Sequence, residues 1–201
     1  VIAGIVLAAG ASRRLGRNKL LLPFRGGTVL SATVSRLLSS PLDRLVVVLG
    51  HEAEDVRAKA GLPADPKLEL VLNPDWPEGM ASSLRRGVTA CADAEAVVIA
   101  LGDQPDTDPD VVAELLGAFR AGAPLAFPIH PDPEGNGAPR SGHPVLFGRE
   151  LFPELLALWG DRGARDVVAR HFQSAGKVEA PSPRDIDTDD DYRALLAHDR
   201  P

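Results

Sequence analysis

The segment LAAGASRRLGRNK (7–19) crowds Arg13, Arg14, Arg17 and Lys19 into one short loop together with Gly10 and Gly16. Cations gathered this closely call for something negative to hold. The small residues Ala8, Ala9, Gly10 and Ala11 let backbone N–H groups approach phosphate oxygens, and Arg14 and Lys19 can neutralise their charge. A plain turn between strand and helix, with solvated basic residues, is the alternative, and spacing alone leaves both readings open. Two common phosphate loops are excluded by pattern. Gly10 and Gly16 stand one position too far apart for the G-x-x-x-x-G-K-[ST] loop, and Lys19 comes three residues after Gly16. The dinucleotide fingerprint G-x-G-x-x-G is missing too.

Carboxylates form the second set of reactive groups. Asp103 follows the apolar run AVVIAL (96–101) through Gly102. That is the carboxyl end of an expected parallel strand, where open α/β sheets bind ligands. A polyphosphate bound across such a crevice needs a hard divalent cation held by one or two carboxylates. An Asp at this point can instead cap the next helix or bond the turn backbone; Asp106 and Asp108 are assigned that capping role. The run DIDTDDD (185–191) is acidic at most of its positions. Asp189, Asp190 and Asp191 suit the first turn of a helix, where the macrodipole favours negative charge. Asp185 and Asp187 precede it.

These groups need a scaffold, and the apolar pattern supplies one. Ile2–Leu7, RLVVVLG (44–50), LELVL (68–72) and AVVIAL are near-continuous Val, Ile and Leu runs, as in strands buried on both faces. Helical patterns alternate with them: 28–38 closed by Pro41, 52–60, 82–92, and one opened by Asp108-Pro109 and running to about Phe119. The alternation predicts a mostly parallel sheet in a three-layer α/β/α fold with right-handed crossovers. After Ala123 a Pro- and Gly-rich stretch reads as a short antiparallel excursion. Helices at about 149–158 and 163–172, a strand near Val178 and a helix from Thr188 complete the chain, with Thr188 and Asp191 spaced for reciprocal capping.

The chain has 201 residues, 44% of them hydrophobic, enough for one domain spanning 1–201 with a substantial core. A net charge of −6 opposes a general nucleic-acid surface. No apolar stretch reaches the ~20 residues of a membrane span. The single cysteine, Cys91, cannot form an internal disulfide, which favours a reducing compartment; a cytoplasmic location is expected.

With these residues in view, LAAGASRRLGRNKLLLP resembles the L-A-A-G-x-S-x-R-M-G-x-x-K signature of the MobA-like NTP transferases, with Leu15 in place of the usual methionine. Within that family it is most similar to the molybdenum cofactor cytidylyltransferase branch. NPDWPEGMASSLRRGV (73–88), ALGDQP (100–105), GHPVLF (142–147), GDRGAR (160–165) and DIDTDDDY (185–192) match in the same order, so the resemblance covers essentially the whole chain. It implies a nucleotidyltransferase (Rossmann-like) fold and a loop that holds a nucleoside triphosphate through Leu7, Ala8, Ala9, Gly10, Ser12, Arg14 and Lys19. Asn73, Gly79, Ser82 and Ser83 would border base and ribose, although a Pro-rich turn with Ser82 as a helix cap accounts for the same residues. Trp76 is either exposed packing or a stacking surface. Ala9, where guanylyl-transferring relatives tend to have glycine, points to cytidine.

The resemblance further implies that Asp103 and Asp187 bind Mg2+, with Asp185 a weaker candidate. It places His143 against a pterin substrate, and gives Asp161 and Arg165 to that substrate's phosphate or metal end. His51 only follows a strand end, and His130, His171 and His198 have no supporting partners in the sequence. The implied reaction is transfer of CMP from CTP to the phosphate of a molybdopterin-type cofactor, with release of pyrophosphate. Arg14, Lys19 and Asp103 would be the catalytic groups, and a recipient molybdoenzyme or its chaperone a possible protein partner. Other readings are guanylyl transfer to the same cofactor, nucleotidyl transfer to a sugar or alcohol phosphate, a non-catalytic cofactor carrier, and a glycosyltransferase using DTD (106–108) as a metal site.

Overall fold

The computed structural model describes residues 1–130, 140–161, 163–181 and 184–198. In chain order the elements are β1 (Ile2–Ala8), a small hairpin of β2 (Pro23–Phe24) and β3 (Gly27–Thr28), α1 (Val29–Leu38), β4 (Arg44–Leu49), α2 (Ala53–Lys59) and β5 (Leu68–Leu72). Next come α3 (Met80–Ala90), β6 (Ala96–Leu101), α4 (Pro109–Arg120), β7 (Leu125–His130), β8 (Arg140–Ser141) and β9 (Val145–Gly148). The chain continues through α5 (Phe152–Leu156), α6 (Arg165–His171), β10 (Gly176–Glu179) and α7 (Asp189–His198).

One sheet carries the strands in the order β10-β7-β9-β6-β1-β4-β5, with β8 on β7. The pairs β10–β7, β6–β1, β1–β4 and β4–β5 are parallel; β9 runs antiparallel to both β6 and β7. The antiparallel excursion is therefore real but narrower than the sequence suggests. β7 belongs to the parallel set, and β9 slips between it and β6. The Pro- and Gly-rich residues 131–139 of that expected excursion lie outside the described residues.

Alternation along β1 separates two cores. Ile2, Val6 and Ala8 pack with Leu30, Val34 and Leu37 of α1, Val56 of α2 and Val112, Leu115 and Leu116 of α4. Ala3 and Ile5 face Leu84 and Val88 of α3, Leu155 of α5 and Val167 of α6. That is the expected three-layer arrangement, produced by the period-2 geometry of a strand covered on both sides.

The crossovers reverse direction at β1. From β1 the chain steps outward through β4 to β5, then returns across the sheet to β6 on the other flank of β1. Loops leaving β1 and β6 diverge there and open a crevice at the strands' carboxyl ends.

Local signals set most helix starts. Thr28 and Ser31 cap α1 reciprocally, Asp108 caps α4 with Pro109 in its first turn, and the N–H of Asp191 donates to Thr188 Oγ1 while Thr188 N–H donates to Asp191. The third central helix starts earlier than expected, at Met80 rather than 82. Its first free N–H groups are met by Asp161 and Gly160, which sequence proximity could not show. Near 149–158 only Phe152–Leu156 is α-helical, after a 3-10 turn over Arg149–Leu151. A third apolar cluster, Leu22, Phe24, Val29, Ile186 and Leu195, holds α7 and the residues before it against the β2–β3 hairpin. Among the described residues no helix is long and apolar enough to cross a membrane.

Candidate active site

The loop after β1 is folded back on itself. Ser12 takes a left-handed backbone (φ 48°), its carbonyl accepts from Leu15 N–H at 3.1 Å, and its Oγ accepts from Lys19 N–H at 3.2 Å. Asn18 caps the 3-10 turn Lys19–Leu21, accepting from Leu20 N–H, and its amide donates to Glu52. With Leu20 buried, the Lys19 side chain is directed into the crevice, where it lines the cavity with Asp103. Ser12, expected among the nucleotide contacts, lines the cavity but also closes the loop.

Asp103 stands at the end of β6, tied to β1 by the bond from Gly102 N–H to Leu7 O. It is buried and forms an ion pair with the Lys19 ammonium. Asp187 arrives from the far end of the chain, accepting from Lys19 Nζ at 3.2 Å and facing Arg14 at 3.0 Å. Burial works against the Lys19 charge, but Asp103 and then Asp187 outweigh it and hold its pKa above the usual lysine value. Two carboxylates thus converge on one cation. Their hard oxygen donors suit a divalent metal held together with phosphate oxygens.

The walls of this cavity, about 480 Å³ in volume, include Leu7, Ala8, Ala9, Gly10, Arg14 and Ser83. Trp76 and Gly79 also line it, and the Trp76 ring meets His51 edge-on at 5.0 Å. Asn73 and Ser82, expected to touch the nucleotide, are buried one layer behind. The Asn73 amide donates to Ser82 Oγ at 2.9 Å and Ser83 Oγ at 3.0 Å, clamping the 73–79 loop to α3. Ser82 is not the cap of that helix: Gly79 occupies the cap position, and Ser82 Oγ donates back to its carbonyl.

Several expectations are redistributed by tertiary contacts. Asp106 does not cap α4; it pairs with Arg184 at 3.0 Å and Arg25 at 3.5 Å. With Asp108 committed to α4, the DTD run is not a free metal site, which removes the support for a glycosyltransferase. Asp185 accepts from the Gln104 amide at 2.6 Å, so only Asp187 of that pair reaches Lys19. Gln104 was not singled out, although it stands beside Asp103 in ALGDQP, where a buried amide signals a clasp.

Asp161 lines the same cavity, where its carboxylate accepts from Met80 N–H; this places it beside Gly79 rather than with His143. His143 rims a second cavity with Pro144, and Arg165 is exposed at the start of α6 and lines neither. Burial pushes the His143 pKa down to about 4, Asp103 opposing and Arg165 adding to the shift. Two other histidines do have partners: His130 Nδ1 lies 2.8 Å from Ala180 O, and His171 Nε2 lies 2.7 Å from Glu154. The side chain of His198 is outside the described residues.

Residues 4–175 match the MobA-like NTP transferase domain. The chain belongs to that family. Nicotine blue oxidoreductase of Paenarthrobacter nicotinovorans is 36% identical over 82% of this chain and 79% of its own length. The molybdenum cofactor cytidylyltransferase of Escherichia coli is more distant, at 26% identity over 94% of this chain and 92% of its own. The crystal structure of Rv0371c from Mycobacterium tuberculosis is 36% identical with a TM-score of 0.82, covering 98% of this chain and 97% of that one. A structure of Rv0371c in complex with manganese gives 34% identity and a TM-score of 0.77 over the same shares. The mostly parallel sheet of this MobA-like domain is the nucleotidyltransferase fold, and the family's substrate is a nucleoside triphosphate.

Proposed function

We propose that this nucleotidyltransferase moves CMP from CTP onto the terminal phosphate of a molybdopterin-type cofactor, releasing pyrophosphate, with Mg2+ as its metal. The observation that carries the reading is the meeting of Lys19, Asp103 and Asp187 in the cavity that the small-residue loop also lines. The similarity to the cytidylyltransferase over nearly its whole length supports the choice of acceptor and base.

Backbone groups of Ala8, Ala9 and Gly10 receive the triphosphate, and Arg14 and Lys19 neutralise the leaving pyrophosphate. Asp103 and Asp187 would hold Mg2+, which supplies charge neutralisation at the reacting phosphates. The acceptor phosphate is already ionised at neutral pH, so positioning rather than a strong general base drives the in-line attack. Ala9, Trp76, Gly79 and Ser83 flank the base and ribose, with Asn73 and Ser82 fixing their loop. His143, neutral at pH 7, faces the acceptor side from the second cavity, while Asp161 braces the Gly79 turn on the nucleotide side.

The test is pyrophosphate release by the purified protein with molybdopterin cofactor and each of the four nucleoside triphosphates. CTP-dependent release is expected. Equal use of GTP refutes the cytidine assignment, and no release with any of the four refutes transfer to this acceptor.

A further inference from the structure

Among the described residues only Ser12, Arg25 and Glu52 combine a side chain with a left-handed backbone, at φ 48°, 48° and 51°. That conformation suits glycine, and a residue with a Cβ holds it at a cost that surrounding contacts must offset. Two of the three touch the segment that carries Lys19. Ser12 Oγ accepts from the Lys19 N–H, and Glu52 Oε2 accepts from the Asn18 amide at 3.0 Å.

The turn at Glu52 follows from what precedes it. His51 N–H donates to Ala9 O at 3.1 Å. Gly50 is packed so closely that a Cβ there would stand 2.6 Å from Trp76 Cβ and 2.7 Å from Ala9 Cβ. With residues 50 and 51 held against the loop after β1 and α2 beginning at Ala53, a single residue makes the join. Glycine would do so without strain. Helix capping does not explain a glutamate there: Glu52 makes no side-chain cap bond, and Glu54 and Asp55 already place negative charge in the first turn of α2. His51 Nδ1 lies 3.8 Å from the Glu52 carboxylate, too far to bond it.

What the Glu52 carboxylate does hold is Asn18. Asn18 Oδ1 accepts from Leu20 N–H at 3.1 Å while its Nδ2 donates to Glu52. A backbone N–H can only donate and a carboxylate only accept, so the amide has one orientation. The 3-10 turn Lys19–Leu21 is thus tied at its first residue by Ser12 and at its second by an asparagine that Glu52 orients. A 3-10 turn this short has little stiffness of its own. Its first residue nevertheless has to keep an ammonium within reach of both Asp103 and Asp187.

We infer that Glu52 is a positioning residue of the nucleotide site: acting through Asn18, it holds the Lys19 ammonium in the crevice, and its backbone strain is retained for that bond. The inference rests on the nucleotide-binding role proposed above for Lys19. Glu52 is not among the residues lining the cavity, so it acts through the turn and not by contact with the nucleotide.

Glu52→Gly and Glu52→Gln separate strain from hydrogen bonding. Glycine fits the left-handed backbone and removes the carboxylate, whereas glutamine keeps an oxygen that can accept from Asn18. Each variant is compared with the unaltered protein by amide hydrogen exchange at Leu20, calorimetry with CTP, and thermal unfolding. Glu52→Gly should speed exchange at Leu20 and weaken CTP binding, each by about three- to tenfold. Its Tm should hold, or rise by roughly 2–4 °C as the strain is relieved. Glu52→Gln should match the unaltered protein in exchange and CTP affinity. Unchanged exchange or unchanged affinity in Glu52→Gly overturns the inference, because the bond then positions nothing. A Tm that falls together with affinity overturns it too, as the mark of a residue that only holds the fold. So does a glutamine variant that behaves like the glycine one, since charge and not the bond would then matter. If CTP binds none of the three proteins, the nucleotide reading fails, and exchange at Leu20 alone decides whether Glu52 holds the turn.

Discussion

Asp187 accepts a 3.2 Å hydrogen bond from Lys19 although 168 positions separate them in the chain. Ile186 and Leu195, buried against Leu22 and Phe24, bring the late segment back to the opening loop. The Tyr192 hydroxyl fastens it further by donating to Pro23 O at 2.6 Å. The site is closed by joining the two ends of the domain, and Asp103 from the middle strand meets them there.

Asp103→Ala should reduce nucleotidyl transfer by at least about 10²-fold, the scale of losing one preorganised charge-stabilising group. The fold should survive, because the carboxylate points into the crevice and its ion-pair partner Lys19 retains Asp187. Steady-state turnover at saturating Mg2+, read beside thermal unfolding, checks both halves. Near-normal turnover would remove Asp103 from the chemistry.

Lys19→Met should weaken CTP binding by about 1.5–3 kcal/mol, the worth of a hydrogen bond to a charged group. The Lys19 side chain is only 19% exposed, so its loss also leaves two carboxylates uncompensated. Tm should therefore fall by several degrees and recover when Mn2+ is added, because the competing ammonium is gone. Calorimetry with CTP and thermal scans with and without Mn2+ read the two effects. Unaltered CTP affinity would end the anion-cradle reading of the opening loop.

Gly79→Ala tests the nucleotide wall. Gly79 sits at φ 108° and ψ 179°, and an added Cβ would stand 2.5 Å from Asp161 Oδ1 and 2.7 Å from the Gly160 carbonyl carbon. Backbone strain alone costs about 1–3 kcal/mol, which lowers Tm by roughly 2–4 °C per kcal/mol in a protein of this size. KM for the nucleotide should rise more than kcat falls. A variant with unchanged Tm and KM would mean that residues 160 and 161 do not brace this turn.

Acid stability should carry the mark of His143. Its folded pKa of about 4 lies below its ordinary 6.5, so between these values the unfolded chain binds the proton more readily. Stability therefore falls as pH drops from 6.5 to 4 and levels off below that window. His143→Gln removes this contribution and should flatten the Tm profile between pH 7 and 4. Parallel profiles for the two proteins would show that the ring is not held neutral by burial.

Local pattern accounted for much of this protein. Continuous Val, Ile and Leu runs call for burial on both faces, so β1, β4 and β6 and their parallel pairing were readable from residue type; β5, of like composition, is instead an edge strand with no fully buried residue. Thr28, Asp108 and Thr188 marked helix starts because a cap is satisfied within three residues. Arg14 and Lys19 stood out as cations crowded into one small-residue loop, and Asp103 as a carboxylate just past the end of an apolar strand.

The tertiary structure decided which charge meets which. Asp185 and Asp187 are two positions apart and chemically alike, yet one is taken by Gln104 and the other by Lys19 and Arg14. Asp106 resembled a helix cap until Arg25 and Arg184 claimed it. Asp161 became the partner of a helix's first N–H, on Met80, 81 positions before it. The difference is one of range: backbone propensity and burial act between neighbours, whereas an ion pair or a borrowed cap depends on how distant segments pack, and no spacing in the chain encodes that distance.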